Sequence, residues 1–205
     1  MALFFNKVTV IGVGLIGGSL AKVMKAQKIC GEIHGAGRSR ETLEQAIRLG
    51  VIDHMGRDSA HAVDHADLVV LATPVGTFES IVREIAPHMK DGAILTDVGS
   101  VKGGLVRTIE GLLPPGAHFV PGHPIAGREK HGVGAASDDL FRGAKCIITP
   151  TEKTDANALD AVTALWTKAG MHVVIMDPEQ HDHIFAAVSH LPHAAAYAMV
   201  STVAE

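Results

Sequence analysis

The chain has 205 residues, 47% hydrophobic and 20% charged, enough for one sizeable core and about one to one and a half domains. Aromatic residues make up 4%, and the formal charge of -4 comes with Lys and Arg dispersed along the chain, which excludes both a base-stacking platform and a phosphate-backbone footprint; no nucleic-acid partner is expected. Two cysteines, Cys30 and Cys146, form no framework and no CxxC pair, as expected of a reduced, cytoplasmic protein.

In chain order, short apolar runs alternate with helical patterns. Strands are predicted at 7–11, 32–36, 67–72, 93–97, 117–120, 145–149 and 171–176. Helices are predicted at 15–27, 39–49, 76–89, 101–112 and 155–169. Several strands are continuous apolar runs, the pattern of strands buried on both faces of a parallel sheet. In the last helix Leu159, Val162, Leu165 and Trp166 recur at helical spacing, and Gly170 stops it. This alternation predicts an α/β, doubly wound, mostly parallel Rossmann-type sheet over residues 1–177. At Asp177-Pro178 it ends. Residues 178–205 are Ala-rich and helical, with Pro178 near a helix start and Pro192 expected to kink or break the interior. They read as the beginning of an all-helical domain. Residues 8–24 carry one charge, Lys22, but contain four glycines and divide into strand, turn and helix, so neither export nor a membrane span is expected.

The first strand runs into a glycine-rich turn in which Gly12, Gly14 and Gly17 fit G-x-G-x-x-G. Gly12 makes the tight turn, Gly14 admits a pyrophosphate, and Gly17 lets the helix pack on the strand. Leu15 and Ile16 open the helix whose N-terminus faces the anion. The strand-turn-helix context is what turns a weak pattern into a dinucleotide site. The second strand ends without the acid that accepts from an NAD ribose. Arg38, Ser39 and Arg40 stand there instead, which favours the 2′-phosphate of NADP, with NAD the alternative. Thr73 and Pro74, directly after the strand LVVLA, are placed on the nicotinamide-ribose side.

Three further segments fall at loop or helix-start positions: DVGSVK (97–102), GHPIAGREKHG (122–132) and HDHIFAAVSHLPH (181–193). Behind the glycine fingerprint, the GSVK, HPIAG and SHLPH motifs resemble those of the prephenate/arogenate (cyclohexadienyl) dehydrogenase family, over the whole chain from residue 7. The resemblance implies NAD(P)-dependent oxidative decarboxylation of a hydroxylated cyclohexadiene carboxylate, on the way to tyrosine. It implies that His123 is the catalytic imidazole at the ring hydroxyl and that Ser100 contacts the same hydroxyl and the cofactor. Glu129, Ser189, His190 and His193 would lie at the substrate, and His181 and Asp182 would shape the start of the last helical segment. It also implies a homodimer formed through the helical domain.

Some residues depart from the family pattern or admit another role. Arg128 replaces a small hydroxyl residue, and Ser100 also suits the N-cap of helix 101–112. Beyond Arg142 there is no arginine and beyond Lys168 no lysine, although the substrate carries two carboxylates. The competing readings are a catalytically silent dinucleotide-binding module and another Rossmann reductase of the hydroxyacid dehydrogenase type, which needs a helical lysine that 178–205 lacks. The histidines between His181 and His193 show no HExxH or matching ligand set, so no metal is expected there.

Overall fold

In the computed structural model, residues 4–56 and 58–204 are described. The order is β1 (Phe5–Ile11), α1 (Leu15–Ala26), β2 (Cys30–Ala36), α2 (Arg40–Arg48), β3 (His54–Met55), α3 (Ser59–Val63), β4 (Leu68–Leu71), α4 (Phe78–Ile85), β5 (Ile94–Asp97), α5 (Gly103–Glu110) and β6 (His118–Val120). Then come β7 (Gly122–Pro124), β8 (Lys145–Ile148), α6 (Ala156–Lys168), β9 (His172–Ile175), α7 (Pro178–Phe185) and α8 (Leu191–Ala204). The main sheet is wholly parallel in the order β3-β2-β1-β4-β5-β6.

Alternation along each strand feeds two cores. Val8, Val10, Leu68 and Val70 join Leu20, Met24 and Leu43 from α1 and α2, with Val162, Leu165 and Trp166 from α6. Ile11, Val69 and Leu71 face the other way, against Val63, Phe78, Val82, Val106 and Ile109 of α3, α4 and α5. Helices therefore cover both faces, as a parallel sheet requires. The reversal of strand order between β1 and β4 opens a crevice at the carboxyl ends, where such folds bind ligands.

Two expectations change. The strands near 145 and 171 do not extend the main sheet: β8 and β9 pair in parallel with each other, and β7 adds antiparallel to β8. The start of the 122–132 segment is thus a strand, not a loop. With three residues and a proline it carries no readable strand signal. β3 and α3 are likewise too short to read.

In the terminal segment, Pro178 opens α7 and Asp177 caps it, accepting from the Glu179 and Gln180 N–H groups at 2.9 Å. Pro192 does not break the helix. A π-helical turn at 186–190 precedes it, widening the ladder where the proline has no N–H to offer the preceding turn. No helix of the described residues is long and apolar enough to cross a membrane.

Candidate active site

A cavity of about 890 Å³ occupies the crevice, walled by Gly12, Gly14, Arg38, Ser39, Thr73 and Pro74 among others. The glycine turn is fitted to it. Gly12 has φ +99°, and a Cβ there would stand 2.5 Å from the Ala72 carbonyl oxygen; a Cβ on Gly17 would stand 2.3 Å from the Gly12 carbonyl oxygen. Those two positions exclude any side chain on packing grounds. At Gly14 a Cβ would meet no protein atom within 4 Å. The requirement for glycine there is the open space itself, as a close approach of a pyrophosphate to the α1 N-terminus demands. The residues therefore fit a dinucleotide.

Around this crevice the predicted residues divide. Ser39 caps α2, accepting from the Thr42 N–H at 3.2 Å. Arg40 lies outside the cavity wall and pairs with Glu44 one helical turn on, at 2.9 Å. Leu15 and Ile16 open α1, with side chains partly packed against the core. Arg38 remains the guanidinium on the wall.

One strand over, at the end of β5, Asp97 and Lys102 form an ion pair with side chains 1% and 0% exposed. A buried charge pair persists only where its remaining hydrogen-bonding capacity is met. Asp97 meets it with backbone: Oδ2 accepts from the Gly99 N–H at 2.8 Å and Oδ1 from the Gly122 N–H at 3.1 Å. Gly99 precedes Ser100 and Gly122 precedes His123. A single carboxylate thus fixes the two segments carrying the predicted catalytic pair. The turn before Ser100 packs on the turn after Pro74: a Cβ on Gly99 would stand 2.8 Å from Val75 Cγ2. Ser100 is exposed and does not cap α5: the cap position is Lys102, and the Lys102 N–H donates to Asp182 Oδ1 of α7 at 2.8 Å.

Asp182 begins a relay. Its Oδ1 lies 2.8 Å from His181 Nδ1, and His181 Nε2 lies 2.8 Å from His123 Nδ1. An ionised carboxylate only accepts, so His181 carries its proton on Nδ1. Its Nε2 then accepts from His123 Nδ1–H, and His123 Nε2 is left as a free lone pair. Phe185 stacks on His181 with centroids 4.6 Å apart and contacts the His123 ring at 5.0 Å. Burial first, then the Lys102 charge and the His181 and His190 rings, lower the His123 pKa from 6.5 to about 3, against the opposing pull of Asp182. Burial also lowers that of His181. His123 is therefore a neutral acceptor throughout the neutral range.

The remaining predicted residues are more open. Glu129 is exposed on the loop after β7, and Arg128 beside it is turned to Asp139 at 2.7 Å. Ser189 and His190 are half-buried in the π turn, and His193 is exposed, its Nδ1–H donating to the Ser189 carbonyl at 2.8 Å. Asp97, Lys102 and the orienting role of the His181–Asp182 pair were missed from sequence. Their one signal was an acid and a lysine of opposite charge flanking the GSV turn.

A glycine-rich crevice at the switch point of a doubly wound sheet defines a dinucleotide-binding fold of the dehydrogenase type, and Ser100 and His123 are not among the residues that wall the crevice. Residues 20–175 match the family model for the prephenate dehydrogenase nucleotide-binding domain, and 177–205 that for the prephenate dehydrogenase dimerization domain. The chain belongs to the prephenate dehydrogenase family. It is 35% identical to a cyclohexadienyl dehydrogenase of Zymomonas mobilis over 97% of this chain and 68% of that protein. It is 38% identical to the prephenate dehydrogenase of Bacillus subtilis over 95% of this chain, but spans only 53% of that relative. Among solved structures, prephenate dehydrogenase from A. aeolicus in complex with hydroxyphenyl propionate and NAD+ superposes with a TM-score of 0.93 at 42% identity, over 98% of this chain and 70% of that one. Synechocystis arogenate dehydrogenase superposes at 0.85 and 31% identity, over 96% and 68%.

Proposed function

We propose that this chain carries out NAD(P)-dependent oxidative decarboxylation of prephenate or arogenate in tyrosine biosynthesis, as a cytoplasmic homodimer. The observation that carries the reading is the Asp182–His181–His123 relay, which leaves one imidazole lone pair aimed away from its protein partners. The dinucleotide, which the Gly12–Gly17 turn and Arg38 would hold, would supply the hydride acceptor for the hydroxyl-bearing carbon, with loss of CO2 from the opposite ring carbon making the ring aromatic. His123 Nε2 takes the hydroxyl proton as the carbonyl develops. His181 and Asp182 hold the ring and offset the imidazolium charge as it forms. The substrate's own carboxylates add negative charge and raise the basicity of His123 in the complex. Ser100 orients the hydroxyl, and Ser189, His190, His193 and Glu129 surround the rest of the substrate. The exposed apolar side chains of α8, among them Leu191, Tyr197 and Val200, suit burial between two copies.

The test supplies prephenate and arogenate, each with NAD and NADP, and follows the absorbance of the reduced nicotinamide. No reduction with any pairing overturns the reading. His123→Asn is expected to lose about a hundredfold or more in kcat while cofactor affinity stays unchanged.

Within that reading, NADP is favoured over NAD on the strength of Arg38, with Arg40 already paired. Arg38→Leu is expected to weaken NADP about tenfold or more through loss of one charge-assisted contact, with little effect on NAD. Equal loss for both cofactors would reject the preference. A second reading has one observation in its favour: α7 and α8 carry no Lys or Arg to meet a substrate carboxylate. It is a silent dinucleotide-binding module, and cofactor binding by calorimetry without turnover would select it.

A further inference from the structure

We propose that Glu32, His34 and His54 form a site for one divalent transition-metal ion of the zinc type, at the edge of the sheet remote from the catalytic imidazole. Among the described residues this is the one group of three or more His, Cys, Asp or Glu side chains whose donor atoms all lie within 4.8 Å of one another. Its geometry follows from strand pairing. His34 of β2 is in register with His54 of β3, and Glu32 lies two residues back on the same face of β2. The imidazole rings stand 4.7 Å apart, and the Glu32 carboxylate reaches both: Oε1 lies 3.1 Å from His34 Nε2 and Oε2 lies 3.4 Å from His54 Nε2.

The two separations from Glu32 are close to those between two ligands of one ion. Ligands bound at about 2.0–2.1 Å in a tetrahedron stand about 3.3–3.4 Å apart. His34 Nε2 is buried, and the polar group that faces it is the Glu32 carboxylate. His54, more than half exposed, can rotate to close the third separation. Two imidazoles and one carboxylate select zinc and its first-row neighbours over magnesium or calcium, and the fourth position is left to water. The cation that acts on His34 is Lys7, in register with Glu32 on β1; its ammonium is turned to the Asp64 carbonyl at 2.6 Å.

A metal here would pin β3, a two-residue edge strand, to β2. The chain leads from β3 to α3, whose cap Asp58 and first residue Ser59 line the dinucleotide crevice. The ion would thus brace the wall of the cofactor site and take no part in its chemistry. This inference does not rest on the dehydrogenase reading.

The test strips the protein with EDTA and titrates it with Co²⁺, followed by visible d–d absorption, and with Zn²⁺ by calorimetry and thermal melting. One equivalent is expected to bind with nitrogen-ligated cobalt bands, and zinc is expected to raise the melting temperature. His54→Gln and Glu32→Gln, at partly exposed positions, should each weaken zinc at least tenfold and abolish the melting shift. Their melting in EDTA, compared with the parent, checks the fold. Absence of cobalt bands, or metal bound with unchanged stoichiometry and affinity in His54→Gln, would overturn the proposal, the latter assigning the ion to other histidines.

Discussion

Asp182 Oδ2 occupies the space that a side chain on Gly103 would need, 2.8 Å from the position of a Cβ. The first residue of α5 must therefore be bare for α7 to dock its carboxylate against the Lys102 N–H and the His181 ring. The obstructing atom is the end of a flexible side chain, so Gly103→Ala should fold. Asp182 would swing aside and leave His181 unanchored. We expect kcat to fall about ten- to a hundredfold with cofactor affinity unchanged and melting little altered. An unchanged kcat would show that the relay does not orient the base.

The glycines of the phosphate turn should separate by cause. Gly17→Ala drives a methyl into the Gly12 carbonyl and is expected to lower stability by about 1–3 kcal/mol as well as cofactor affinity. Gly14→Ala meets no protein atom, so it should melt like the parent and lose dinucleotide affinity alone. Paired melting and titration experiments distinguish them.

Acid should destabilise the fold well before carboxylates protonate. With His123 held near 3 when folded and 6.5 when unfolded, the unfolded chain binds the extra proton between those values. Its contribution to stability is complete above pH 6.5 and is lost as pH falls toward 3. His34 and His181 are shifted in the same direction. Asp53 and Asp67 are held below 3.8, so their stabilisation, present above that value, is lost only at lower pH. Melting temperature should thus decline from pH 6.5 to 4.5, with a shallower slope in His123→Asn.

Removing Lys102 should be costly. Lys102→Met strands Asp97 as a buried charge, and about 3–5 kcal/mol of stability should go with it, read by urea unfolding. The double variant Asp97→Asn/Lys102→Met should recover only part of the loss, because the stranded charge is gone but the single amide oxygen can accept from just one of the Gly99 and Gly122 N–H groups.

What the sequence disclosed, it disclosed through local rules. The Gly12–Gly17 turn between a strand and a helix is legible because each glycine answers a steric demand a few residues away, and apolar runs such as LVVLA are legible because both faces are buried. β7 was hidden because its pairing with β8 lies more than twenty residues off and has no alternation of its own. The Asp97–Lys102 pair was overlooked because a buried lysine looks like any other lysine until the backbone groups around its partner are known. Leu15 and Ile16 were placed at the cofactor by motif adjacency, and in the fold they open α1 with side chains partly packed on the core. His34 and His54 meet only through strand register, which no spacing rule encodes.

The proposed base, His123, is held by groups outside the six-stranded sheet. His181 and Asp182 belong to α7, in the segment matched by the dimerization model, while His123 belongs to a strand of the first domain. A tilt of α7 would lengthen the contact between the two imidazoles without disturbing the crevice. In the proposed function, proton transfer at His123 would therefore depend on the segment that matches the dimerization model, and a disturbance of that segment would slow turnover while leaving coenzyme affinity intact.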